Sequence, residues 1–239
     1  MKTIVFAGPS VFDLDVRAFP HLEFHPPAAS GDILAAVDRG ATAIGLIDGL
    51  YGDRAAVWHK EILYALSKDI PVAGAASMGA LRAAECEPFG MIGIGEVFRA
   101  YRNGVRTSDA DVAIVHAPAE LGYRPLTIAL VDAEATIGGM SDALDDKDIT
   151  RLLNAARRQH FSVRTWKSIV AQAGLDPGLT KTLAGNAISV KQTDALQLLT
   201  ALRDEGLSRE NLPRWAFQDT LFFRSMAACR RGWDRGKNG

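Results

Sequence analysis

The sequence predicts an α/β protein, with an N-terminal three-layer domain on a parallel sheet followed by an all-helical region. Over the first half of the chain, short apolar runs alternate with amphipathic segments of helix length, a pattern typical of βαβ units. After about residue 125 only helical periodicity remains. We therefore expect an α/β core domain at residues 1–140 and a helical region at residues 141–239.

Five apolar runs predict strands. Four of them end at a turn or helix start, such as Gly-Pro, Pro-Pro or Asp-Gly, which is how short buried strands end. The predicted strands cover residues 3–7, 22–25, 43–47, 71–76 and, later in the chain, 111–116.

Helices are predicted where apolar residues recur at three- and four-residue spacing. In the first half, Ser30 caps a helix that runs to residue 37, Asp53 caps one that runs to about residue 67, and a third spans residues 77–85. In the second half the predicted helices cover residues 126–137, 146–160, 163–173, 190–203 and 213–227.

The composition excludes several classes of function. Hydrophobic residues make up 48% of the 239 residues and charged residues 23%, and the formal net charge of -1 suggests neither nucleic acid nor membrane as a partner. Cys86 and Cys229 are far apart and lack metal-ligand spacing, which favours a reducing compartment. The N-terminal apolar run is too short for a signal peptide. We expect a cytoplasmic protein that holds no metal and no cofactor.

Three turns are expected to meet at one edge of the sheet. Right-handed crossovers bring the carboxyl ends of parallel strands together, and open α/β sheets build their sites at that edge. The turns are Gly8-Pro9-Ser10, Asp48-Gly49 and the one at Ser77. This edge is the predicted location of the functional site.

Ser77 lies between a predicted strand and a predicted helix, in the stretch PVAGAASMGALRAAE. A tight strand-to-helix turn would present its hydroxyl at the sheet edge, with the backbone N–H groups of Met78 and Gly79 near a developing oxyanion. The stretch resembles the nucleophile elbow G-x-S-x-G, except that its first glycine is Ala75. The alternative is that Ser77 only caps the helix.

A serine nucleophile needs a base, and the sequence offers several. Lys60 lies beside the apolar stripe of VWHKEIL, where partial loss of solvent would lower its pKa and supply a neutral amine. His59 could serve instead, oriented by Asp48 or Glu85, and His116 is a further candidate. The alternatives are an exposed ion pair for Lys60 and a surface or core position for His59.

Arg82 falls on the helix that Ser77 begins, three residues before Glu85. At this spacing the two side chains can form a structural ion pair. Otherwise Arg82 is free to meet an anionic substrate.

Several stretches together resemble the TfuA-like proteins. They are GLIDGLYGDRAAVWHKEILYAL, PVAGAASMGALRAAECEPFGMIGIGEVFRAYRNG, and DADVAIVHAP with YRPLTIALV. The resemblance is strong over residues 43–140 and looser over the first strand with FAGPS. TfuA-like proteins work beside YcaO enzymes, which use ATP to activate a peptide backbone amide so that sulfur can replace its oxygen. The resemblance implies hydrolysis of a thiocarboxylated ThiS-like carrier protein to deliver that sulfur, and help for YcaO in engaging its peptide.

The resemblance also implies roles for particular residues. The serine–lysine pair of a hydrolase-like site would fall on Ser77 and Lys60. Backbone N–H groups of Met78 and of the turn ending at Ser10 would stabilise the tetrahedral intermediate, and Arg82, ahead of His59, would compensate the charge of the thiocarboxylate. The carrier's Gly-Gly tail would enter a slot of small residues, namely Gly74, Ala75, Ala76, Gly79 and Ala80. ATP and metal are expected in the YcaO partner, and a second copy of the chain is a further candidate partner.

Two other functions remain open. The first is a generic serine esterase or amidase that uses Ser77 on a small molecule in a roomy apolar pocket. The second is a non-enzymatic adapter that holds YcaO, carrier and peptide together. In the adapter Ser77 is only a cap, and aromatic residues near the C-terminus form the working surface, namely Trp215, Phe217, Phe222 and Phe223.

Overall fold

The computed structural model describes residues 2–50, 52, 54–204, 207 and 215–228. Its strands are β1 Thr3–Phe6, β2 Leu22–His25, β3 Ala43–Leu46, β4 Val72–Ala75 and β5 Ile92–Ile94. All pair in parallel, in the order β2-β1-β3-β4-β5. The chain direction across the sheet reverses between β1 and β3, so the topological switch point lies between these two strands. The predicted α/β class is confirmed.

The strand predictions fail at two places. β5 was not predicted because it is only three residues long and contains Gly93, where a Cβ atom would lie 2.1 Å from the Phe98 ring. Residues 111–116 do not form a strand: a 3-10 helix at Asp109–Asp111 is followed by a single antiparallel bridge between His116 and Pro125. Val112 is buried by tertiary packing instead, which a hydrophobic pattern cannot distinguish from burial in a sheet.

Nine helices are delimited in the described part of the chain, and residues 221–228 are also helical. They are α1 Asp32–Asp38, α2 His59–Ser67, α3 Met78–Cys86, α4 Glu96–Arg102, α5 Leu130–Gly138, α6 Asp146–Arg158, α7 Trp166–Ala173, α8 Leu179–Gly185 and α9 Val190–Asp204. Of these, α8 was not predicted. Everything described after β5 is helix, turn or irregular segment, in agreement with the predicted helical second half.

The helix starts differ from the predicted ones. Gly31, not Ser30, is the N-cap residue of α1, at φ 92°. α2 begins only at His59, and the expected cap Asp53 lies outside the described residues, as does Cys229. The buried carboxylate of Glu61 stabilises the first turns of both α1 and α2. It accepts hydrogen bonds from the N–H groups of Gly31 (2.8 Å) and Trp58 (3.3 Å).

Helices cover both faces of the sheet. On one face, side chains of α1, α2 and α3 pack against Ile4, Ile44 and Val72. On the other face, α9 packs Leu198 and Leu199 against the opposite side chains of β1 and β4. The third layer therefore comes from the C-terminal half of the chain. The domain boundary at residue 140 stays a prediction. Helix α9 lies after this boundary, yet it forms part of the core of the sheet.

Helix α4 adds Val97 and Phe98 to the cluster of α1, α2 and α3. Helices α5 to α8 form a separate apolar cluster around Ile137, Leu152 and Ile169. Among the described residues, no helix combines the length and the apolar character needed to cross a membrane.

Candidate functional site

A cavity of about 310 Å³ lies at the carboxyl edge of the sheet, next to the switch point. The turns after β1, β3 and β4 contribute Pro9, Asp48 with Gly49, and Ser77. The convergence of these three turns is therefore confirmed. The cavity is completed by Leu50, by residues 112–116, and by Phe161 and Lys191 from the helical half of the chain.

Ser77 stands on a strained turn. The preceding residue, Ala76, is fully buried and has φ 66°, and the N–H of Ser77 donates to the carbonyl of Ala75 at 2.8 Å. This is a γ-turn with positive φ at its centre, a rare conformation for any residue but glycine. A left-handed alanine costs on the order of 1–2 kcal/mol. Strain of this kind concentrates at functional sites, where surrounding packing maintains it.

The Ser77 hydroxyl is not a helix cap. Ser77 occupies the N-cap position of α3, but its side chain makes no capping hydrogen bond. The residue is 4% exposed and lines the cavity. Among the described residues the hydroxyl has no hydrogen-bond partner, which is unusual for a buried polar group. Ser77 therefore holds the N-cap position without using its hydroxyl as a cap, and the hydroxyl faces no competing acceptor among the described residues.

The turn after β1 is held by Asp48. Its carboxylate accepts from the N–H groups of Gly8 (2.9 Å) and Ser10 (3.0 Å) and from the Ser10 hydroxyl (2.7 Å). These two N–H groups are therefore engaged, and they do not supply the oxyanion donors expected of them. Asp48 is 2% exposed, and these contacts also leave it no role in orienting His59.

Of the two N–H groups after Ser77, one is engaged and the other has no acceptor within the described residues. Gly79 donates to the carbonyl of Ile47 at 3.2 Å. Met78 is the first residue of α3, where an N–H has no partner within the helix, and it has no acceptor among the described residues. The N–H of Met78 is thus the one that remains a candidate oxyanion donor beside Ser77 in the described part of the chain, although Met78 itself lines a cavity on the other side of α3.

Lys191 is the lysine that shares the cavity with Ser77. It lies in the first turn of α9, is 3% exposed, and donates from Nζ to the carbonyl of Val112 at 2.8 Å. Burial lowers the pKa of its amine, against the opposing effect of the Asp48 and Asp132 carboxylates. A lowered pKa favours the neutral form of the amine, and a neutral amine can act as a base.

The sequence interpretation missed Lys191, although a signal was present. Lys191, Ala195, Leu198 and Leu202 are spaced four, three and four residues apart, so the lysine occupies the apolar stripe of α9. A charged residue within an apolar stripe is buried with a partner or has a function.

Lys60 lies elsewhere. Its Nζ donates to the carbonyl of Gln218 at 2.7 Å and stands 4.7 Å from the centre of the Phe217 ring. It holds the segment at residues 215–220 against α2 and does not line the cavity of Ser77. Its assignment as the base stays a prediction without a supporting contact.

Arg82, Glu85 and His59 form an ion-pair cluster. Glu85 Oε2 accepts from Arg82 Nη1 (2.5 Å) and contacts His59 Nε2 (2.7 Å), while Arg82 Nε donates to the Val57 carbonyl. Arg82 and Glu85 border a different cavity, on the side of α3 facing residues 107–109. The structural ion pair is therefore confirmed, and neither Arg82 nor His59 lines the cavity of Ser77.

The small residues around Ser77 serve packing. A Cβ atom on Gly79 would lie 1.7 Å from the carbonyl oxygen of Leu46, and one on Gly74 would lie 2.1 Å from that of Gly79. Ala75, Ala76 and Ala80 are fully buried. None of these residues lines the cavity. Because these residues are small, α3 packs closely against β3 and β4. This packing fills the space where a slot for the substrate tail was expected.

His116 lines the same cavity, as part of the segment at residues 112–116. Its Nδ1 lies 2.8 Å from the Ala117 carbonyl, and its ring meets the Tyr123 ring edge-on at 5.7 Å. No group of three or more His, Cys, Asp or Glu side chains within the described residues could hold a metal ion.

The fold and the cavity define a three-layer α/β protein that carries a buried serine and a buried lysine at the carboxyl edge of its parallel sheet. Residues 48–165 match the family model described as TfuA-like protein. The chain belongs to the TfuA-like family, as the resemblance predicted. The matched range contains Lys60, Ser77 and His116 and ends before Lys191. No curated protein matches the chain significantly.

Proposed function

We propose that this protein hydrolyses the thiocarboxylated C-terminus of a ThiS-like sulfur carrier, with Ser77 as nucleophile and Lys191 as its base, as the partner of a YcaO enzyme. The observation that supports this best is a buried serine hydroxyl that has no hydrogen-bond partner among the described residues, in one cavity with a buried lysine. Membership of the TfuA-like family supports the choice of carrier and partner. The reaction needs no cofactor in this chain, because ATP and metal belong to the YcaO step.

The reaction proceeds through an ester on Ser77. The neutral amine of Lys191 takes the hydroxyl proton while Oγ attacks the terminal carbonyl carbon of the carrier. The N–H of Met78 donates to the oxyanion of the tetrahedral intermediate. The sulfur takes up one proton, the C–S bond breaks, and hydrosulfide leaves with the electron pair. Lys191 gives the serine proton to solvent and then acts again as base while water attacks the ester. In sum, thiocarboxylate and water become carboxylate, hydrosulfide and one proton.

The size and lining of the cavity favour a narrow substrate. Its volume of about 310 Å³ is at the lower end for ligand sites, and Asp48, His116 and Lys191 line it together with apolar groups. A carrier tail without side chains fits such a space better than the bulky substrate of a generic esterase. The esterase alternative requires a roomier apolar pocket.

Hydrolysis of the carrier tests the proposal. Thiocarboxylated carrier is incubated with wild type, Ser77→Ala, and the matched control Ser67→Ala, whose exposed hydroxyl only donates to the Tyr64 carbonyl. Released sulfide and the intact mass of the carrier are measured. Wild type and Ser67→Ala should convert thiocarboxylate to carboxylate, and Ser77→Ala should be slower by a factor of about 10³ or more. Equal turnover by Ser77→Ala would overturn the role of Ser77.

The same variants separate the hydrolase from the adapter. In a reconstituted thioamidation reaction with YcaO, carrier and peptide, the proposal predicts that Ser77→Ala loses product formation. If wild type leaves the thiocarboxylate intact and Ser77→Ala supports full thioamidation, the proposal fails and the adapter function replaces it.

A further inference from the structure

We propose that His116 donates a proton from Nε2 to the sulfur of the bound thiocarboxylate, so that Ser77 attacks a neutral thioacid. This inference rests on the proposed function and assigns it a further catalytic residue. The other side chains that line the cavity do not compensate the negative charge of a thiocarboxylate.

The electrostatic problem concerns Asp48 and Lys191. A thiocarboxylate is an anion, and a nucleophile attacks it poorly unless its charge is compensated. Asp48 lines the same cavity as a second carboxylate, and it is held in place by the turn after β1. Lys191 must be neutral to act as the base of Ser77, so it cannot supply the compensating charge in the same step.

The cations that the sequence suggested for this task are elsewhere. Arg82 and His59 are both bound to Glu85, and Arg82 and Glu85 border the cavity on the other side of α3. Apart from Asp48 and Lys191, His116 is the titratable side chain lining the Ser77 cavity within the described residues.

The backbone around His116 fixes which nitrogen can act. A carbonyl oxygen only accepts, so Nδ1 carries a proton and donates it to the Ala117 carbonyl. Nε2 makes no hydrogen bond to any residue that the structure describes. The ring is held because residues 115–117 pair with a returning segment, through Ala117 N–H to the Arg124 carbonyl and Leu126 N–H to the Val115 carbonyl. Histidine is also the side chain suited to giving and taking a proton near neutral pH.

One proton moves from His116 to the sulfur of the substrate. The Nε2–H bond of the His116 imidazolium breaks and an S–H bond forms, which leaves a neutral imidazole and a thioacid. Ser77 then attacks the carbonyl carbon, and the C–S bond breaks with its electron pair on sulfur, so the sulfur leaves as hydrosulfide. The imidazole regains a proton from solvent before the next turnover.

Two substrates that differ in charge test this role. One is the thiocarboxylated carrier, and the other is the same carrier as its C-terminal S-methyl thioester, which is neutral and needs no proton on sulfur before attack. His116→Asn keeps an amide donor for the Ala117 carbonyl and serves as the main variant, with His116→Gln as a second variant should the first fail to fold. The control is His21→Gln, an exposed histidine beside the start of β2 at the opposite edge of the sheet.

The His116 variants should lose activity on the thiocarboxylate and keep it on the thioester. kcat/KM for the thiocarboxylate should fall by about 100-fold or more in the His116 variants, while that for the thioester stays within about threefold of wild type. Ser77→Ala should lose both activities and His21→Gln neither. An equal loss on both substrates, or no loss on the thiocarboxylate, overturns the role of His116 and leaves that of Ser77 intact. If wild type hydrolyses neither substrate, the proposed function itself fails.

Discussion

Ser77 and Lys191 line one cavity, although Ser77 follows the fourth strand and Lys191 begins the helix that covers the opposite face of the sheet. The start of α9 is fixed at this edge by Asp194, whose carboxylate accepts from the N–H groups of Glu96 and Val97 at 2.8 Å each. The sheet edge thus supplies the serine, and the helical half of the chain supplies the lysine.

The turn at Ala76 should tolerate glycine but not a branched residue. Ala76→Gly removes the cost of a left-handed alanine, about 1–2 kcal/mol, and this gain is offset by about 0.4–1 kcal/mol of added freedom in the unfolded chain. Its free energy of unfolding in urea should therefore equal that of wild type or exceed it by up to about 1.6 kcal/mol. Ala76→Val should be lower by about 2 kcal/mol or more, because the site is fully buried and has positive φ. Equal stability of the valine variant would contradict the strained turn.

The contact of α3 with β3 should depend on Gly79. In Gly79→Ala the new methyl group would meet the Leu46 carbonyl oxygen, a backbone atom that cannot rotate away. We expect a loss of about 2–3 kcal/mol in the free energy of unfolding. The matched control is Gly185→Ala at the end of α8, where nothing lies within 4 Å of the new methyl group. The stability of the control should be unchanged or slightly higher. If Gly79→Ala loses no more free energy of unfolding than Gly185→Ala, the packing role of Gly79 is ruled out.

Glu61 should make stability depend on pH. Burial raises the pKa of its carboxyl from 4.5 to about 7, although the N–H groups of Gly31 and Trp58 partly oppose this. Between these two values the folded protein keeps a proton that the unfolded chain has lost, so the contribution of Glu61 to stability falls as pH rises through this window. The total change is about 3 kcal/mol.

Urea denaturation at intervals from pH 5 to pH 8 measures this effect. Glu61→Gln stays neutral at every pH, so the difference between the two free energies of unfolding should shift in favour of the variant as pH rises. A difference that stays constant from pH 5 to pH 8 would show that Glu61 does not titrate in the folded protein over this range.

The sequence was sufficient to predict the sheet edge. Strands at residues 3–7, 43–47 and 71–76, joined by helical crossovers, require a parallel sheet, and a parallel sheet brings Ser10, Asp48 and Ser77 to one edge whatever the rest of the chain does. Residue type also identified Ser77, because a serine at a strand-to-helix turn among small residues is a recognisable pattern.

The lysine that shares the cavity with Ser77 could not be predicted in the same way. Lys60 was chosen because it lies beside an apolar stripe and because the family resemblance assigns the lysine to it, but its helix presents it to residues 217 and 218. Lys191 reaches the cavity only because α9 packs across the sheet, where Leu198 and Leu202 fill the space above Gly45. Which of several amphipathic helices covers a sheet face depends on tertiary packing, which periodicity does not encode.

The most direct test compares Lys191→Met with Lys60→Met in hydrolysis of the thiocarboxylated carrier. Methionine keeps the length and apolar contacts of a lysine and removes the amine, so both variants should fold. We expect Lys191→Met to lose turnover by about 10²–10⁴-fold and Lys60→Met to stay within about threefold of wild type. If Lys60→Met loses turnover and Lys191→Met keeps it, the cavity at the sheet edge is not the site of the reaction as proposed.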